Sequence, residues 1–252
     1  MRILPGVLKE LVKHVPTVLF EAVEWRVLSQ EFPKLTRRIL QKEGYAELFE
    51  RQKSHLAPFK INLVPQVSKA FDPQDKKLAA ERILTLYFAQ LFSPHGLFLD
   101  IGPAHLEMDG EELNFNPNGI WTQFGPEFAD GITDIYDGFY NDDDKLFHQG
   151  LIKSGLSSPK WPEKDREALA SLFKSHFGAS ASGEMTFELE TFKKSFLKVA
   201  DFLLEKKVKI STDFIYLGIS LITMYSSLEK TKVSVNVKNV YLNVKKQLGS
   251  NA

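Results

Sequence analysis

The sequence predicts a mainly α-helical protein of the α+β type, with one small β-hairpin near its middle. Apolar residues recur at spacings of three and four, as in Leu189, Phe192, Phe196, Val199 and Leu203, which marks helices with one buried face. Alternation of the strand kind is confined to short pieces, chiefly within 97–119. Between two of those pieces stands Asp109-Gly110, a dipeptide suited to a tight hairpin turn.

Taken in order, the first 55 residues read as helix. Leu8, Leu11, Val12 and Val15 share a face, Leu19, Val23 and Val27 continue it beyond Pro16, and an amphipathic run from Leu35 to Arg51 is broken only at Gly44. The run KINLVPQVSKAF turns to alternation and β-branched residues, and Pro65 restricts any strand there to a short or edge piece. Asp72-Pro73 has the form of a helix start, with Asp as cap and Pro in the first turn. That helix runs through KKLAAERILTLYFAQLF and stops at Ser93-Pro94-His95-Gly96. After the hairpin segment, LFLDIGPAHLEMDGEELNFNPNG, helices are expected at 127–140, 144–153, 163–177, 187–205 and 213–228. The stretch GASASG (178–183) reads as a loop. Val233, Val235 and Val237 alternate before Val240, Tyr241, Val244 and Leu248 return to helical spacing. N-terminal helices in 1–71 and a helical region in 72–252 are expected to form one compact unit.

Composition narrows the function classes. At 252 residues, 43% hydrophobic and 25% charged, the chain can bury a sizeable core and is not of the disordered type. Lys plus Arg and Asp plus Glu are both 32, so the chain carries no electrostatic footprint for nucleic acid. Without Cys there is no disulfide framework, thiolate metal site or cysteine nucleophile, which fits a cytoplasmic protein. The N-terminal run is interrupted by Lys9, Glu10, Lys13 and His14 and is not a signal peptide. Its mixed apolar and charged character suits peripheral membrane contact. The most apolar segment, 214–228, holds Gly218, Ser220, Thr223, Ser226 and Ser227 and reads as a buried helix.

Candidate chemistry is sparse. The six His residues form no H-x-x-x-H or H-E-x-x-H pair, and no G-x-S-x-G elbow occurs. Asp142, Asp143 and Asp144 lack the spacing of a calcium loop and suit a helix cap. The 20 Phe residues and Trp25, Trp121 and Trp161 suggest an aromatic core. One mixed cluster remains: His105 lies near Asp100, Glu107 and Asp109, and Asp100, His105 and Glu107 could serve acid–base or metal chemistry.

The order and spacing of several words resemble a known family. Glu43-Gly44-Tyr45, NLVPQV, LTLYFAQLFSPHG, DIGPAHLEMDG, NPNG and GPEF are similar to landmarks of the UbiB-type (AarF-like) atypical kinases linked to isoprenoid quinone biosynthesis. The stretches FYNDDDKLFHQGLIKSGL and FLLEKKVKISTDFIYLGISL resemble the helical tail of that family, so the likeness covers about 200 residues. The family's catalytic loop has the form H-A-D-P-H-P-G-N, followed by a hairpin and a D-F-G metal loop. In one register DIGPAHL overlies D-P-H-P-G-N-L. Asp100 then takes the catalytic Asp position, Pro103 keeps its proline and His105 stands at the metal-binding Asn. A second register, counted from His95-Gly96, puts Ile101 and Leu106 there instead. The first also aligns Asp109-Gly110 with the hairpin turn and is preferred. In both, Pro117-Asn118-Gly119 replaces D-F-G.

The resemblance implies a helical kinase-like C-lobe with a small β-hairpin and a reduced or absent N-lobe, its remnant lying within 1–71. Magnesium wants charged oxygen ligands, and neither Pro117 nor His105 is one. No K-x-G-Q motif and no Gly- or Ala-rich phosphate loop precedes the hairpin. The expectation is therefore a degenerate member: a pseudokinase without catalytic residues, metal or cofactor, whose degenerate site is Asp100, His105 and Pro117. It would bind a protein partner or an isoprenoid lipid, as accessory or scaffold in quinone or lipid metabolism. The alternatives are a helical interaction module unrelated to kinases, or an enzyme with altered nucleotide or metal chemistry around Asp100, His105 and Glu107.

Overall fold

A computed structural model describes residues 44–117, 119–178 and 183–250. The helices expected before residue 44, with their membrane contact, and most of the GASASG loop lie outside the described residues. The chain is mainly helical with small sheets. Helix α1 (Tyr45–Leu56) leads through a 3-10 turn to strand β1 (Ile61–Leu63), and α2 (Lys76–Leu91) follows. Strands β2 (Leu97–Phe98), β3 (Leu106–Asp109), β4 (Glu112–Phe115) and β5 (Trp121–Thr122) make up the middle. Then come α3 (Pro126–Tyr140), α4 (Asp144–Lys153), α5 (Glu163–Phe177), β6 (Glu184–Thr186), α6 (Leu189–Glu205), α7 (Thr212–Thr231), β7 (Ser234–Asn236) and α8 (Val237–Ser250).

Local chemistry sets several of the boundaries. Helix α2 begins three residues later than the Asp72-Pro73 signal predicts, because Asp75 is the residue whose carboxylate accepts from Leu78 N at 2.9 Å. Asp143 caps α4 through Leu146 N at 2.9 Å, the role expected for the acidic run. Helix α5 starts on Glu163 and Asp165 and has Lys174 in its last turn, which complements its dipole.

Strands β1, β4 and β3 form one sheet, with β1 parallel to β4 and β3 antiparallel to it. The β3–β4 connection is a two-residue turn in which Asp109 pairs with Glu112. Gly110 takes φ of 59° there, the conformation that a hairpin turn demands and that a side chain resists. Strands β2 and β5 pair antiparallel around this hairpin, and β6 pairs with β7. Strand β6 was not anticipated: its three residues, Glu184 to Thr186, are recognised by their pairing with the distant Ser234 to Asn236 and not by a local pattern.

Most of the core is one cluster, with Leu56, Ile61, Ile83, Phe88, Phe115, Tyr140, Leu203, Phe214 and Tyr241 among its members. Strand β1, from before residue 71, thus shares both sheet and core with the chain that follows. Helix α7 is buried almost all round, consistent with its low amphipathicity in sequence. Helices α3 and α4 approach backbone to backbone. A Cβ on Gly138 would stand 2.4 Å from Phe147 N, and one on Gly131 2.5 Å from Ser154 N. Such a crossing admits only hydrogen at those positions. No helix among the described residues is long and apolar enough to cross a membrane.

Candidate functional site

Strand β2 carries the chain into the core at Leu99, which is fully buried, and releases Asp100 at its end. The backbone then turns at once. Asp100 Oδ1 accepts from Gly102 N at 2.9 Å, a side chain bonding its own backbone two residues on. His105 N donates to Gly102 O at 2.9 Å, closing a 3-10 turn over Pro103–His105. This tight turn folds residue 105 back on residue 100. His105 Nε2 lies 3.1 Å from Asp100 Oδ2, with the two side chains 23% and 14% exposed. The Asp100 carboxylate holds the His105 pKa above its ordinary value; burial opposes this, and a backbone hydrogen bond with Asn116 supports it.

Helix α7 fixes the backbone on the far side of the turn. The Thr223 hydroxyl accepts from Ile101 N at 3.1 Å and lies 2.9 Å from Leu99 O. Ser227 Oγ donates to Ile101 O at 2.6 Å. Both hydroxyls are buried on the most apolar helix, so each satisfies groups that would otherwise be stranded. These two residues were missed as site residues in the sequence. Their signal was weak, because a hydroxyl in an apolar helix can bond a carbonyl of its own helix, as Thr223 also does with Ser220 O at 3.1 Å, so sequence alone does not point to the Leu99–Ile101 backbone.

Glu107 does not join the Asp100–His105 pair in a hydrogen bond. It lies on β3, and its carboxylate accepts from Ser68 N and Ser68 Oγ, both at 2.7 Å, which lowers its pKa. Pro117 is buried after β4, and its carbonyl accepts from Tyr45 OH at 2.9 Å. The Tyr45 ring meets Phe98 edge to face at 5.9 Å and lies 3.9 Å from where a Cβ on Gly119 would stand. Helix α1 thus sets an aromatic ring over the segment that follows the hairpin. Asp100 and His105 are brought together, while Glu107 and Pro117 are held by other partners.

What the arrangement can do chemically follows from its charges. The carboxylate raises the affinity of the imidazole for a proton, so a cation entering there would compete with that proton. Among the described residues no three His, Asp or Glu side chains are grouped to hold a metal ion. A polar groove of about 540 Å³ and an aromatic-lined cavity of about 40 Å³ lie elsewhere, and neither is lined by Asp100, His105, Glu107 or Pro117. The smaller one includes Tyr87, Tyr136, Tyr140, His176 and Tyr225. At that size it holds a water molecule or two, not an organic ligand.

No known protein family matches the sequence, and no curated protein matches it.

Proposed function

We propose that the chain is a catalytically silent, kinase-like protein of UbiB resemblance that keeps mainly the helical C-lobe and works by binding. Its place would be cytoplasmic, as accessory or scaffold to a protein partner in isoprenoid quinone or lipid metabolism. The observation that carries this reading is the ion pair itself. Asp100, the residue at the catalytic position of the resemblance, faces His105 and raises its affinity for a proton, where that family needs a metal-binding Asn.

Two further features support the reading. The run of β2, tight turn, hairpin with Gly110 at its turn, and β5 paired back on β2 follows the order that the resemblance calls for. The preferred register also sets Pro103 at the start of the 3-10 turn, where a proline is pre-shaped for it. Phosphoryl transfer depends on metal-held phosphates, and Pro117 offers no carboxylate to hold them.

The test is thermal unfolding with ATP and Mg²⁺ and with ADP and Mn²⁺. A nucleotide at a hundred times its Kd contributes about 2.7 kcal/mol and would raise Tm by about 5–10 °C in a chain of this size. The expected result is no such shift. A shift of that size, abolished in Asp100→Ala, would overturn the reading.

A further inference from the structure

The groove of about 540 Å³ runs beside α8, walled by the 3-10 turn before β1, the first half of α2 and the ends of β6 and β7. Its floor is apolar: Phe59, Val240 and Val244 are buried there. Its rim is a row of amides, Asn236 at the end of β7 and Asn239, Asn243 and Gln247 at four-residue spacing on α8. Two of the four are spent within the fold. Asn236 Oδ1 accepts from Asn239 N at 2.9 Å and caps the helix, and Gln247 Nε2 donates to Pro58 O at 2.7 Å. The side chains of Asn239 and Asn243 are exposed and have no partner among the described residues.

Amides four apart on a helix recur about every 6 Å. An extended polypeptide repeats its peptide orientation every two residues, about 6.6 Å. Each Asn side chain offers one acceptor and two donors, the complement of a peptide group. Asn239 and Asn243 are therefore spaced to meet successive like-oriented peptide groups of one extended strand. The row from Asn239 to Gln247 spans about 12 Å, room for about four extended residues.

The opposite wall decides which side chains such a strand would carry. Lys77 is paired with Glu184 at 2.8 Å, and Lys60 with Glu111 at 2.5 Å. Arg82 donates through Nε to the Glu111 carbonyl at 3.0 Å, its charge helps Lys60 lower the Glu111 pKa, and its remaining guanidinium N–H groups make no hydrogen bond among the described residues. A guanidinium fork suits a carboxylate. The lining charges otherwise nearly cancel, with Lys60, Lys77 and Arg82 against Glu81 and Glu184, which is a poor match for a polyanion such as a nucleotide chain.

We infer that this groove takes an extended polypeptide segment of a partner protein, its backbone on Asn239 and Asn243 and an acidic side chain on Arg82. The inference deepens the binding reading above and rests on it for the view that the chain works through a partner. It makes no use of Asp100 or His105.

The experiment selects a phage-displayed library of random heptapeptides on the full chain. Enriched sequences are then made as synthetic peptides and titrated by fluorescence anisotropy against the parent, Asn239→Ala/Asn243→Ala and Arg82→Gln. Expected are acidic peptides that bind the parent and lose about tenfold or more in affinity with the double variant. Arg82→Gln should weaken the acidic peptides and spare versions with Gln in place of the acid. N-methylation at alternate residues should abolish binding in one phase of the alternation only. Circular dichroism melts of the variants, whose altered side chains lie at the groove surface, confirm folding. Selection of no binding sequence, or peptides that bind parent and double variant equally, would overturn the inference. Nucleotide melts on the same preparations read the pseudokinase proposal separately. A Mg–ATP shift with intact peptide binding sinks that proposal alone, and absent peptide binding without a nucleotide shift sinks only the groove.

Discussion

His105 lies in the turn between β2 and β3 with the Asp100 carboxylate 3.1 Å away. His176 lies near the end of α5 with its ring 4.9 Å from Phe192 and 5.8 Å from Phe196. Its Nδ1 is 2.8 Å from Ser195 Oγ, and because that hydroxyl donates to Phe192 O, Nδ1 is the donor of the pair. The first histidine has its pKa raised by a carboxylate; the second has it lowered to about 4 by burial. Burial disfavours charge on His176, and the helices are held by apolar surface and backbone proximity, with charged pairs such as Asp137–Lys245 left part-exposed. In the loop region the Asp100 carboxylate favours the charged form of His105, and the backbone is held by the Thr223 and Ser227 hydroxyls. The difference shows where function is to be sought. Asp100 and His105 engage each other and His176 engages Ser195, whereas the side chains of Asn239 and Asn243 in the groove beside α8 have no hydrogen-bond partner among the described residues.

That contrast can be broken in a defined order. The largest effect belongs to the α3–α4 crossing. Gly138→Ala sets a Cβ 2.4 Å from Phe147 N and 2.8 Å from Asp143 O, both backbone atoms that cannot swing aside. Urea unfolding should show a loss of about 3 kcal/mol or more, at the upper end for overpacking. A loss below about 1 kcal/mol would mean that the helices separate easily, and the rigid-scaffold side of the comparison fails.

His176 comes next. Its folded pKa is depressed, so the unfolded chain binds the extra proton. The contribution is full above 6.5 and is lost as pH falls toward about 4. The shift corresponds to at most about 3 kcal/mol, and the residue's remaining solvent contact reduces it. Urea unfolding at pH 7.5 and pH 4.5 should show this loss in the parent and a shallower one in His176→Phe. Parallel slopes in the two proteins would remove the burial account.

The hydroxyls under the loop should matter less. Thr223→Val strands the Ile101 N–H, and Ser227→Ala strands the Ile101 carbonyl. Each should cost about 1–3 kcal/mol, with faster amide exchange at 99–105 and little change in α3–α4. Equal loosening of both regions would mean that they are not held independently. The smallest effect is His105→Gln. The folded pKa of His105 is raised, so its contribution is full below 6.5 and is lost as pH rises through the raised value. The variant should cost on the order of 1 kcal/mol at pH 6 and less at pH 9, the opposite trend to His176.

The helices were legible because their signals are local. Asp143 before an apolar-periodic run, or Glu163 and Asp165 ahead of Leu169, Ala170 and Phe173, states its element within one or two turns. The start of α2 was misjudged because Asp72 and Asp75 offer the same cap chemistry, and only the folded backbone selects Leu78 N for Asp75. Strand β6 is partly exposed and three residues long, so its identity resides in its pairing with β7. In the candidate site, Asp100 and His105 could be named from sequence, but their contact needs the 3-10 turn at Pro103 and the α7 hydroxyls more than 120 residues away. The groove was illegible because Asn239 and Asn243 acquire meaning only opposite Arg82 on another helix.

The central claim is that a proton on His105, and not a metal, answers the charge of Asp100. Proton NMR titration of the His105 ring, assigned through His105→Gln, tests it directly when run without and with Mg²⁺ and ATP. An apparent pKa above 6.5 that does not move on adding Mg–ATP is the predicted result. An apparent pKa at or below 6.5, or one driven down by Mg–ATP, would show a site open to a metal and would contradict the account.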